Sequence, residues 1–143
     1  IRFKVADVLP DAYKPLQDFE KYLDNAGLDR IQRELIKIRA SQINGCAFFL
    51  PTHLQDILKY GEDPKRIYVL SAWREAKQWF SGEEQAILAL TEEVTLIANQ
   101  GVSDETFNRS VALFGEAKTV QFILAIIAIN AWNRMAIAFH LHP

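Results

Sequence analysis

The stretch Glu34-Leu-Ile-Lys-Ile-Arg-Ala-Ser-Gln-Ile-Asn-Gly-Cys-Ala-Phe-Phe-Leu-Pro-Thr-His53 sets the reading of the whole chain. Upstream of it Asp29 is a plausible helix N-cap, and Ile31, Leu35, Ile38 and Ile43 recur at helical spacing, so one side of this helix is buried. Asn44-Gly45 reads as a short turn ahead of a natural helix start. A second helix, expected over about Cys46 to Tyr60 and closed by Gly61, then packs back on the first through this short turn. That places Cys46 at a helix start, where unpaired N–H groups and the positive end of the dipole favour a thiolate. Phe49 and His53 follow at i+3 and i+7 and would share the cysteine's face. Glu34 comes from the preceding helix. Thiol, imidazole and carboxylate therefore have a route to convergence, the arrangement that shuttles protons and activates a nucleophile.

The same punctuation extends outward. Leu16, Phe19, Tyr22, Leu23 and Ala26 make one face of a helix over Pro15–Ala26, closed by Gly27. Asp63-Pro64 starts a further helix with proline in the first turn. Ser81-Gly-Glu-Glu84 reads as a capping box, followed by Ile87, Leu90, Val94 and Ile97 on one side. Ser103-Asp104-Glu105 opens the next helix, and Gly115 should end it. From Glu116 to about His140 the chain is apolar nearly all round, which predicts burial at the domain centre or between subunits. Nothing alternates with a period of two. The expectation is one all-α domain over residues 1–143, a bundle of about six to seven helices.

Composition narrows the function. The 143 residues carry 16 Lys plus Arg against 18 Asp plus Glu, a net charge of −2, so no basic field exists for a nucleic acid. A single cysteine excludes an internal disulfide framework and suits a reducing, cytoplasmic setting. Ile1–Pro10 lacks the basic-then-apolar order of a secretory signal. The uncharged run Thr119–Asn133 is shorter than the roughly 20 residues of a bilayer span and includes Gln121 and Asn130, so no membrane association is expected. No Gly-rich phosphate loop, Ser/His/Asp arrangement or carboxylate–histidine metal cluster is visible, and His140 and His142 lie too near the end to count as ligands. No cofactor and no metal are expected.

Glu34, Ser41-Gln-Ile-Asn-Gly-Cys46 and His53, with Ala72-Trp-Arg-Glu75 and Asn130-Ala-Trp-Asn-Arg134 downstream, resemble the alkylhydroperoxidase D / carboxymuconolactone decarboxylase family over roughly residues 15–140. Redox-active members carry the glutamate, a Cys-x-x-Cys pair and the histidine at this spacing. The resemblance implies the alkylhydroperoxidase D-like helical fold, a homo-oligomer (trimer, or hexamer built from trimers) and a catalytic set of Glu34, Cys46 and His53. The departure is Phe49, which stands where the second cysteine attacks peroxide. Cys46 alone would need an external thiol reductant to resolve a sulfenic acid. Pro51 removes a backbone donor between Phe49 and His53 and is expected to kink or delay the helix start.

Three functions follow from the resemblance. The first is alkylhydroperoxidase-like peroxide reduction on a degenerate one-cysteine site, with Glu34 and His53 as proton relay. The second is a decarboxylase-type lyase using Glu34 and His53 as acid and base; the basic residues to hold a multiply anionic lactone are not evident nearby, Lys37 and Arg39 lying one turn along with no assigned face. The third is a non-catalytic oligomer binding a small apolar ligand beside Cys46–Leu50. Each residue also has a plainer role: Cys46 as a small buried hydrophobe, His53 as a satisfied core or interface histidine, Trp73 and Arg74 as an aromatic anchor with a salt bridge, and Asn130, Asn133 and Arg134 as groups needing partners if buried.

Overall fold

The computed structural model describes all residues, 1–143, and every regular element is helical. A short turn of helix, α1 (Val5–Val8), leads to α2 (Lys14–Asp24), and α3 (Arg30–Asn44) and α4 (Leu50–Lys59) follow. The chain continues through α5 (Pro64–Tyr68), two 3-10 turns (Leu70–Glu75 and Lys77–Trp79), α6 (Gly82–Thr95) and α7 (Asp104–Ala138). The caps fall where the residue types place them. Asp29 accepts from the Gln32 amide, Asp63 from Lys65 and Ser103 from Thr106, while Ser81 and Glu84 form both halves of the capping box. Gly45 closes α3 at φ +66°, ψ +35°, a conformation in which a side chain would be strained. Gly115, at φ +80° and ψ +170°, breaks α7 into two helical lengths.

Two expectations are corrected. The helix after Asn44-Gly45 begins at Leu50, not at about Cys46. Pro51 has no N–H to give and so belongs in a first turn, and Cys46–Phe49 form the turn that precedes it. The helix after Ser81 ends at Thr95, which leaves Ile97 outside it and 56% exposed.

The core has two lobes because α3 and α6 lie in the middle and bury residues on both sides. Ile36, Ala40, Ile87 and Leu90 pack with Leu23, Phe122 and Ile126 from α2 and α7. Their sequence neighbours Leu35, Ile38 and Leu88 point the other way, onto Ile57 of α4, Leu70 and Trp73. By length and composition α7 could cross a membrane; in the fold it packs on α2, α3 and α6. It is not buried all round: Val120, Ile127 and Ile137 remain 43–54% exposed along one flank.

An amide network ties the α3–α4 turn to α7. The Asn44 side-chain amide donates to Asn130 Oδ1 (3.0 Å) and Asn133 Oδ1 (2.9 Å), Asn133 donates to Ser41 Oγ (3.1 Å), and Asn130 donates to Thr95 Oγ1 (3.0 Å). Asn133 and Ser41 are fully buried, so these bonds satisfy groups that would otherwise be costly to desolvate. Trp73 and Arg74 are a structural pair: the Trp73 indole donates to Glu92 (3.2 Å), and Arg74 stacks over its ring while bonding the same carboxylate (3.0 Å).

Candidate functional site

Glu34 sits one turn into α3, and His53 sits in the first turns of α4, facing it. His53 Nδ1 lies 3.0 Å from Glu34 Oε2, and both side chains are largely buried, at 12% and 7% exposure. The ring is turned off the line of a good hydrogen bond, so both atoms keep unused bonding capacity. Lys37 Nζ stands 3.5 Å from the other carboxylate oxygen. Burial alone would push the Glu34 carboxyl up, but the adjacent His53 nitrogen and the Lys37 cation outweigh it and hold it below the usual carboxylate range. Glu34 is therefore a buried anion at neutral pH.

The outer side of His53 borders a small pocket of about 190 Å³, shared with Glu20, Lys37, Phe49, Ile129 and Trp132. Nδ1 is the sequestered ring nitrogen, whereas Nε2 has no protein partner and keeps access to this pocket. The pocket's apolar wall is aromatic. Phe49 stacks on His53 (centroids 5.9 Å, 23° between planes) and meets Phe48 and Trp132 edge-on at 4.9 and 6.3 Å, and Trp132 stacks on Tyr13 at 5.8 Å.

Of the three residues singled out in the sequence, the fold brings two together. Cys46 is 1% exposed, its amide bonded to the Ser41 carbonyl, in a turn and not at a helix N-terminus. Its sulfur does not join Glu34 and His53 in one cluster; Asp56 does, with donor atoms of all three within 4.8 Å of one another. The sequence shows no carboxylate–histidine metal cluster; the fold nevertheless brings these three side chains together across α3 and α4. The available signal was His53 and Asp56 at i,i+3, which share a helix face; its meaning depends on α3 packing alongside. Of the two nearby cations, Arg39 is spent on Glu92 (2.8 Å), and only Lys37 faces the site.

Comparison with known proteins agrees with this architecture. The family model described as the Carboxymuconolactone decarboxylase family matches residues 10–93. An uncharacterized protein, YdfG of Bacillus subtilis (strain 168), is 43% identical over 137 residues, spanning 96% of this chain and 92% of that one. A crystal structure from Agrobacterium tumefaciens superposes with a TM-score of 0.93 at 37% identity, over 99% of this chain and 97% of that chain. That protein is described as of unknown function and provisionally assigned to antioxidant defence as AhpD. With the helical fold and the Glu34–His53 pair in place, the chain belongs to the carboxymuconolactone decarboxylase family, in its AhpD-like form.

Proposed function

We propose that Glu34 and His53 form an acid–base site for a small organic acid and work without a thiol cycle. One observation carries this reading: His53, backed on its inner side by Glu34, lines a mainly apolar pocket whose one cation is Lys37 and whose one acid is Glu20, while Cys46 is buried outside the Glu34–His53 cluster. Lys37 has only the 3.5 Å contact with Glu34 and keeps N–H donors for a substrate carboxylate. Phe49, Ile129 and Trp132 pack the carbon skeleton. His53 Nε2 delivers or accepts the proton at carbon, and the Glu34 anion on its inner side stabilises the imidazolium. In a decarboxylation the electrons of the breaking C–C bond stay on the substrate carbon, His53 protonates it, and carbon dioxide leaves. The test is carbon dioxide release from carboxylated lactones. Glu34→Gln and His53→Gln should each lower turnover by about 10²-fold or more, with Cys46→Ser near wild type. No turnover by the wild type, or an equal loss in Cys46→Ser, overturns the proposal.

A second reading is one-cysteine peroxide reduction with an external thiol, favoured by the antioxidant assignment of the Agrobacterium relative. It requires Cys46→Ser to abolish hydroperoxide turnover. Under either reading we propose a soluble, cytoplasmic homo-oligomer, a trimer or a hexamer built from trimers. The exposed flank of α7 at Val120, Ile127 and Ile137, with Leu96 and Ile97 beside it, would be the shared surface. A monomeric mass by light scattering refutes this.

A further inference from the structure

We propose that Glu34, His53 and Asp56 form a binding site for a first-row divalent cation such as Zn²⁺, and that the metal switches off the acid–base pair. The donors come from two packed helices: Glu34 from α3, and His53 and Asp56 from one face of α4. Two donors each about 2.1 Å from a zinc ion at the tetrahedral angle stand about 3.4 Å apart. Glu34 Oε2 and His53 Nδ1 already stand at 3.0 Å, and all three donors lie within 4.8 Å, so Asp56, which is only half-buried, closes the set by a small side-chain movement. One imidazole nitrogen with two carboxylates is a donor set suited to zinc or manganese.

The bonding state of these atoms adds to their spacing. Glu34 Oε2 and His53 Nδ1 are buried, the Glu34 side chain being 93% buried, and beyond their own poorly aligned 3.0 Å contact neither atom has a hydrogen-bond partner. Buried polar atoms of this kind are rare and call for an occupant. A cation between them satisfies both, and it has a way in: a second cavity of about 270 Å³, on the side lined by Arg30, Arg33, Glu34, Lys37, Asp56 and Tyr60, opens onto the cluster. Its positive groups are mostly committed elsewhere. Arg33 bonds Glu20 (3.0 Å) and Asp24 (2.7 Å), and Arg30 lies over the Tyr60 ring at 4.5 Å. Lys37 alone competes for the Glu34 charge.

A metal on Nδ1 and Oε2 takes the place of the proton that His53 would carry there and spends the Glu34 charge. The binding claim stands on the geometry; its inhibitory consequence rests on the acid–base reading above. The experiment is calorimetric titration of Zn²⁺ into chelator-stripped protein, without substrate. One ion per chain is expected in the wild type and in a His140→Ala/His142→Ala variant, with affinity at least tenfold lower in Asp56→Asn and higher in Lys37→Met. Binding that is absent, or unchanged in Asp56→Asn, or lost with His140 and His142, overturns the site. Turnover assayed with and without Zn²⁺ then reads the switch separately, so failure of the acid–base function leaves the binding result interpretable.

Discussion

Phe49 forms part of the aromatic wall beside His53, and replacing it exposes the consequences. Phe49→Ala removes three ring pairs, to Phe48, His53 and Trp132 at 4.9, 5.9 and 6.3 Å. Aromatic pairs contribute about 0.5–1.5 kcal/mol each, and a fully buried Phe→Ala change costs about 3–5 kcal/mol. Phe49 is only half-buried, so the loss should be about 2–3 kcal/mol. Urea unfolding reads this as a lower midpoint with an unchanged slope. Phe49→Leu keeps most of the apolar volume and should recover roughly half of the loss. Because the ring covers one face of the imidazole, diethyl pyrocarbonate should modify His53 faster in Phe49→Ala than in the wild type, followed by peptide mass. A cost below about 0.5 kcal/mol, or an unchanged His53 rate, refutes the role given to this ring.

Asn133→Ala removes the bond to buried Ser41 and one of the two acceptors of Asn44, and should cost about 2–4 kcal/mol in the same unfolding assay, since a buried hydroxyl loses its partner and a cavity opens. The acid limb of stability should depend on Glu34. Its carboxyl is held below its ordinary value in the fold, so the unfolded chain binds the extra proton first; the stabilisation is full above the ordinary carboxylate range and is lost as pH falls through the folded value. Glu34→Gln should flatten that limb, and an unchanged acid profile by thermal melts counts against the buried anion. Native Cys46, at 1% exposure, should react with iodoacetamide only as fast as the fold opens, with a rate that rises with urea.

Much of the fold is legible in local chemistry. Asp29, Asp63, Ser81 and Ser103 cap helices because their oxygens can reach amides two or three residues on, and Gly45 ends α3 because it tolerates a left-handed backbone. The register after Gly45 is less so. Spacing alone puts Cys46, Phe49 and His53 on one helix, but Pro51 moves the helix start to Leu50 and leaves Cys46 in the turn. Glu34 and His53 meet as their spacing suggests. Asp56 is hidden in the sequence because its neighbour is an α3 side chain, and the Ser41–Asn133–Asn44–Asn130 network is hidden because it joins residues up to 92 positions apart.

If Glu34 and His53 work without a thiol cycle, Cys46 stays inert to peroxide in the folded protein. The direct measurement is mass spectrometry of the native protein after stoichiometric cumene hydroperoxide in the presence of dimedone. Cys46 should be recovered as the free thiol with no adduct. Rapid dimedone labelling of Cys46 in the folded protein would contradict it and return the site to peroxide chemistry.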